Sequence, residues 1–375
     1  MRKRRERKRM ELKLVNFIKE NPNWKEILTN KPYCITIKEE DDFILFKYSQ
    51  VDSDFSNEVV RECRGIILDK QLKPVCVPFF KFGNYGESYC PDIDWTSARV
   101  QEKVDGSLIK VWFYDGKWRV STNGTIDAYK SEIGQPIFSL LEIPFKTFGE
   151  LFDVASKNAG LDYSKLDKNK TYMFELVSPY NKVVVPYKDT TIYHIGTRNN
   201  DTLEELEEDI GVKKPKHFNL HTLQECIETT KVMPYSEEGY VVVDKNWNRV
   251  KIKSPQYVAV HHLKNNGDLN IASLVQLIRE NEIGEFCTYF PEYKEIILKL
   301  DNEIKNIIQD LENGLDAIKD KQFETKKDFA LNVKDKNFSA FYFCWYLDKT
   351  ITPKQWFWEH DNNKIKEWLK CLLQL

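Results

Sequence analysis

Lys103-Val104-Asp105-Gly106-Ser107-Leu108, with the run Ile109-Lys110-Val111-Trp112-Phe113 behind it, decides how this chain is read. An Asp-Gly pair sets a turn, and the apolar run after it is rich in strand formers. One amine, Lys103, is therefore held at the mouth of a strand. The strand ends in Tyr114-Asp115-Gly116-Lys117, a hairpin signal, and returns as Trp118-Arg119-Val120-Ser121. Further strands are predicted at 33–49 (two, around Glu39-Glu40-Asp41-Asp42), over most of 60–130, and at 171–178, 182–187, 190–197, 239–244 and 249–253. Helical spacing falls on 10–30, 136–160, 201–210 and 221–231. This is a strand-rich α+β pattern.

After Ser254-Pro255 the character changes to helix. Ile297, Leu300, Ile304, Ile307 and Leu311 recur at alternating steps of three and four, which reads as one packed bundle helix. Two heptads are too few for a coiled coil. The aromatic segment from Phe338 to Trp358 reads as core, with base stacking as its other reading. The expected organisation is a basic arm at 1–9, a mixed domain at 10–258 and an all-α domain at 259–375.

Composition narrows the function. The 375 residues include 9 Trp, 18 Tyr and 22 Phe, which excludes disorder over most of the chain. No apolar stretch is long enough for a membrane span. Eight cysteines stand singly, with no C-x-x-C pair and no zinc spacing, so reduced thiols in a cytosol-like compartment are expected. No Gly-x-x-x-x-Gly-Lys-Ser/Thr run occurs, so a P-loop is excluded. Residues 2–9 carry seven positive charges and one negative, so +6, which leaves −8 for the rest of a chain whose net charge is −2. Any nucleic-acid site must then be a local basic groove. The arm itself suits a polyanion or a nuclear-import signal, or is a solvated tail.

Several segments place a charge inside or beside an apolar run: Arg61-Glu62-Cys63-Arg64-Gly65, Phe79-Phe80-Lys81-Phe82-Gly83-Asn84, Phe174-Glu175-Leu176, Glu238-Gly239-Tyr240 and Val250-Lys251-Ile252-Lys253-Ser254. Lys251 and Lys253 are two apart, so on a strand both point to one face. Two like charges there are costly unless an anion lies between them.

In this order the segments resemble the covalent nucleotidyltransferase superfamily of DNA ligases, RNA ligases and capping enzymes. Within it they are most similar to the bacteriophage-type tRNA-repair ligases, the RNA ligase 1 family. The likeness covers residues 40–262. It implies a nucleotidyltransferase (ATP-grasp-like ligase) domain of antiparallel sheets followed by a helical domain. It also implies an ATP-dependent RNA ligase with Lys103 as the nucleophile that takes AMP. Glu175 would contact the ribose, Lys251 and Lys253 the α-phosphate, and Arg64 and Lys81 the nucleotide and its phosphates. Asp105 and Gly106 belong to the nucleotide-binding motif, and Tyr257 would lie near the adenine. Glu238 and Glu175 would hold Mg²⁺, with Mn²⁺ as the alternative ion. The implied partner is RNA with 5′-phosphate and 3′-hydroxyl ends, such as cleaved tRNA, acted on by a monomer in the cytoplasm or, through the arm, the nucleus.

One departure stands out. Asn123 fills a place where the superfamily has Arg or Lys before a Gly, which leaves Arg119 and Lys130 as candidate substitutes. A catalytically impaired RNA-binding module is the reading this departure favours. A DNA ligase or a capping enzyme is disfavoured by the helical C-terminal region, which lacks a strand-rich OB-type module. His261 and His262 read as surface or capping residues. The chemistry also makes a physical demand: at pH 7 only about one free lysine in 2,500 is neutral, a deficit of roughly 4.6 kcal/mol. Desolvation and neighbouring cations reduce it.

Overall fold

The computed structural model describes residues 11–133, 144–181, 183–262, 271–289 and 291–373; the basic arm at 1–9 lies outside them. The chain divides into two compact units between His261 and His262.

The first unit is built on three antiparallel sheets. One orders Ile35–Glu40, Phe43–Tyr48, Arg64–Asp69 and Pro74–Cys76. The second orders Glu205–Leu206, Thr191–Asn199, Lys170–Val177, Ser107–Tyr114 and Lys117–Thr122. The third orders His217–Phe218, Arg99–Glu102, Gly239–Val243 and Arg249–Lys253. Lys103 thus leaves a strand of the third sheet, and Ser107 opens a strand of the second. The quoted hexapeptide is the crossing between them.

Each sheet buries an apolar face. Phe46, Ile66 and Leu68 pack with Leu14 and Ile18 of helix Lys13–Glu20. Ile109, Val111 and Phe174 pack with Leu151, Phe152 and Ala155 of helix Phe148–Asn158, whose start is fixed by a Thr147–Glu150 capping box. Val100, Val242, Val250 and Ile252 pack around Cys226 of helix Leu223–Lys231. Alternation along Arg249–Lys253 sends Val250 and Ile252 inward and leaves Lys251 and Lys253 half-buried on the other face.

Three expectations need correction. Residues 183–187 form no strand, because the Val184 and Val185 N–H groups donate to the Asp105 carboxylate (2.9 and 2.8 Å) instead of a ladder. Residues 201–210 form no helix. Asn199 Oδ1 accepts from the N–H groups of Asp201 and Thr202, Leu203 turns left-handed, and Glu205–Leu206 joins a sheet. Residues 79–83 form no strand either, and Asn84 only bridges Lys251. Of the helix predicted at 136–160, residues 136–143 lie outside the described set.

The second unit is helical. Helix Lys294–Asp316 buries Ile297, Leu300, Ile304, Ile307 and Leu311, as one bundle helix should. The aromatic segment is largely core: Phe341, Trp345, Trp356 and Phe357 are buried, and Trp356 stacks on Trp368 with centroids 5.7 Å apart. The cysteines whose side chains are described are all free thiols; Cys371 lies outside that set. Among the described residues no helix is long and apolar enough to cross a membrane.

Candidate active site

Lys103 owes its place to both sheets. Its N–H donates to the Gly239 carbonyl (2.8 Å), and the Ser254 N–H donates to the Glu238 carbonyl (2.8 Å). The third sheet pairs Gly239 with Lys253 and Val241 with Lys251. The second sheet pairs Leu108 with Glu175. Two glycines allow the close approach. A Cβ on Gly239, whose φ is +134°, would collide with the Ile252 carbonyl, and one on Gly106 with the Leu176 carbonyl.

The side chains converge on one cavity, lined among others by Lys103, Arg64, Glu175, Lys251, Lys253 and Phe82. Lys103 Nζ stands 2.7 Å from Glu238 Oε2, and Lys253 Nζ stands 3.9 Å from Glu238 Oε1. Glu238 is only 4% exposed. Burial pushes its carboxyl up, opposed by the Lys103 and Lys253 charges. Glu175 accepts from the Gly106 N–H (3.1 Å). Burial pushes it up to about 7, against the pull of Lys103 and with a push from Glu238. A buried Glu238 and a half-buried Glu175, both with raised carboxyls, are a donor set that suits a hard divalent cation. Arg64 and Lys251 lie on the Phe82 ring, 5.0 and 5.6 Å from its centroid. Arg64 Nη1 is buried and has no hydrogen-bond partner among the described residues.

Other expected site residues lie elsewhere. Asp105 is a brace: Oδ2 takes the Val184 and Val185 N–H groups, and Oδ1 takes the Tyr257 hydroxyl (2.8 Å). Tyr257 is buried, with its ring stacked on His261 at 6.0 Å, and does not line the cavity. The side chain of His262 is outside the described set. Lys81 sits over the Phe55 and Tyr48 rings (4.6 and 5.4 Å) and within 3.3 Å of Gln50. Arg119 lies over Phe43 and Lys130 pairs with Glu40, both around a different cavity. Neither substitutes for Asn123 there.

Sequence reasoning did not single out Phe82 or the apolar walls Val104, Ile195 and Val241. Tertiary packing brings Phe82, Ile195 and Val241 to the cavity, whereas Val104 follows Lys103 in the chain; Phe82 and Val104 both lay inside quoted motifs. The cavity is lined by Lys103, four further cations (Arg64, Arg249, Lys251 and Lys253) and the half-buried Glu175 and Glu102, with the buried Glu238 against Lys103, and the space suits a polyanion. Such a set can bind phosphates, neutralise charge as it develops and hold a metal ion.

The family model described as RNA ligase matches residues 62–257. The chain is 31% identical over 274 residues to a protein named as a bifunctional polynucleotide kinase/RNA ligase of Autographa californica nuclear polyhedrosis virus, a match covering 69% of this chain and 39% of that one. The chain therefore spans well under half the length of that relative. It is 27% identical over 384 residues to an RNA ligase of Rhodothermus phage RM378, covering 83% and 86% of the two chains. Among solved structures, a protein named as an ATP-dependent DNA ligase from Aquifex aeolicus is similar with a TM-score of 0.46, 14% identity and coverage of 88% of both chains.

Proposed function

The chain belongs to the RNA ligase family, and on that premise we propose that it is an ATP-dependent RNA ligase that works through a lysyl-AMP intermediate. Lys103 Nζ attacks the α-phosphorus of ATP. An N–P bond forms, the bond to the bridging oxygen of the β-phosphate breaks, and pyrophosphate leaves. The amine must first lose a proton. Glu238 is the acceptor at hand, 2.7 Å away and with its carboxyl pushed up by burial. A 5′-phosphate oxygen of RNA then attacks the same phosphorus, and Lys103 is released. Finally the RNA 3′-hydroxyl attacks the 5′-phosphorus, a phosphodiester forms, and AMP leaves.

Lys251 and Lys253 neutralise the charge that builds on the α-phosphate, and Arg64 takes a further phosphate oxygen on its free Nη1. Glu175, joined by Glu238 while that group is ionised, would hold Mg²⁺ or Mn²⁺, which would supply positive charge to the phosphate oxygens. Asp105 holds the Lys103 loop to residues 184–185, and the Tyr257 hydroxyl, donating to Asp105, holds it to helix Pro255–His262. Cleaved tRNA is a substrate with the required ends.

The observation that carries this reading is Lys103, paired with Glu238, lining a cavity with four further cations, Arg64, Arg249, Lys251 and Lys253. Incubation with α-labelled ATP and Mg²⁺ leaves label on the protein, and Lys103→Ala abolishes it. A Lys103→Ala protein that still takes up label refutes the assignment. Competition between nicked RNA and nicked DNA tests the substrate.

A further inference from the structure

Lys110 is a lysine that the chemistry above does not use. It lies on strand Ser107–Tyr114 with its side chain 0% exposed. Among the described residues no carboxylate pairs with it. Its ammonium has three donors, and the acceptor the structure gives it is the Gly65 carbonyl. A buried cation with so little compensation is costly to keep.

Its neighbours suggest why it is kept. Gly65 turns left-handed at φ +73°, and a Cβ there would collide with the Asn123 carbonyl, close to Asn123 Oδ1 and Lys110 Nζ. Asn123 Oδ1 is itself buried, with no hydrogen-bond partner among the described residues. The residue just before Gly65 is Arg64, which lines the cavity and whose buried Nη1 has no hydrogen-bond partner among the described residues. The charged and titratable groups facing Lys110 are Arg64 and Cys76. Burial pulls the ammonium down to about 8, with Arg64 acting in the same direction and Cys76 against it.

We infer that Lys110 is a positioning residue: its buried ammonium clamps the Gly65 carbonyl and so holds Arg64 aimed at a nucleotide phosphate, from beside the position where Asn123 supplies no charge. Lys110 acts through Arg64 and stays out of the cavity. The inference rests on the ATP-dependent reading above.

The test is equilibrium binding of α,β-methylene-ATP, which cannot transfer AMP, to the full chain. Lys110→Met binds about tenfold more weakly than wild type, the scale of one lost hydrogen bond to a charged group. Its melting temperature is equal or higher, because a buried charge has gone. Arg64→Ala also weakens binding, and adding Lys110→Met to it costs no more than about twofold further, because the two act as one unit. Lys110→Gln keeps an N–H for Gly65 and recovers part of the loss, to about threefold weaker than wild type. Wild-type affinity in Lys110→Met, or losses that multiply in the double variant, overturn the inference and leave the ligase reading standing. If Lys110→Met does not fold, Lys110→Gln decides, and parity with wild type overturns it. A wild-type protein that binds no analogue defeats the ATP-dependent reading and the inference with it.

Discussion

The first unit holds two clusters of buried charge that differ in how they are neutralised. In one, the Glu205 carboxylate pairs with Arg198 and with Arg249 (Nη2 to Oε2 2.6 Å). The two guanidiniums lie on the Phe80 and Phe79 rings at 4.1 and 4.3 Å. Burial works against the Glu205 carboxylate, yet the arginines outweigh it and hold the group below its usual range. In the other, Lys103, Arg64, Lys251 and Lys253 line a cavity with Glu175, Glu238 lies against Lys103, and both carboxyls are pushed up. The residue types are nearly the same. Cations outnumber carboxylates two to one in both. The first cluster is closed, each guanidinium being paired with Glu205, whose carboxyl they hold down; in the second, the open one, burial outweighs the cations at both carboxyls. A buried charge cluster is therefore told apart less by its count of charges than by whether its cations hold its carboxyls down or leave them raised.

Three experiments sharpen or break this contrast. The largest effect is expected in the closed cluster. Glu205→Ala leaves two buried arginines uncompensated and costs about 3–5 kcal/mol of folding stability, measured by denaturant titration. Wild-type stability there would erase the distinction. In the open cluster, Lys251→Ala or Lys253→Ala lowers the rate of AMP transfer to Lys103 by about 10²–10³-fold. Melting temperatures stay near wild type, since each cation is half-buried and no carboxylate depends on it alone. A stability loss as large as that of Glu205→Ala would make the open cluster structural as well.

The smallest effect concerns Glu175. Its carboxyl is raised from 4.5 to about 7 in the folded chain, so the folded state holds the extra proton between those values. Its contribution to stability is present in full below about 4.5 and is lost as pH rises through about 7. Glu175→Gln flattens the decline of unfolding free energy across that window. A profile that keeps the full wild-type decline would show that Glu175 titrates normally.

Much of the site was legible because chemistry and strand parity act locally. Lys103 stood at a turn before a strand, and Lys251 and Lys253 were two apart, so their common face followed from the pleat. The α+β pattern and the helical second unit were legible for the same reason, from periodicity. The misread segments were decided by distant side chains. The apolar triplet Val183-Val184-Val185 has strand composition, but Asp105, far away in sequence, takes two of its N–H groups. Leu203, Leu206 and Ile210 have helical spacing. The acids between them would repel along a helix, and Glu205 is drawn instead to Arg198 and Arg249. Phe82 and Lys110 gave no local sign of their roles, since an aromatic in a loop and a lysine in a strand are both ordinary. Their meaning lies in contacts with Arg64 and Gly65.

The account rests on a single amine becoming the bearer of AMP. Peptide mapping by mass spectrometry after incubation with ATP and Mg²⁺ tests this most directly. The predicted result is one adduct carrying the mass of an adenylyl group on Lys103. An adduct on Lys251, Lys253 or Lys110, or full adenylation with Lys103 unmodified, would contradict it.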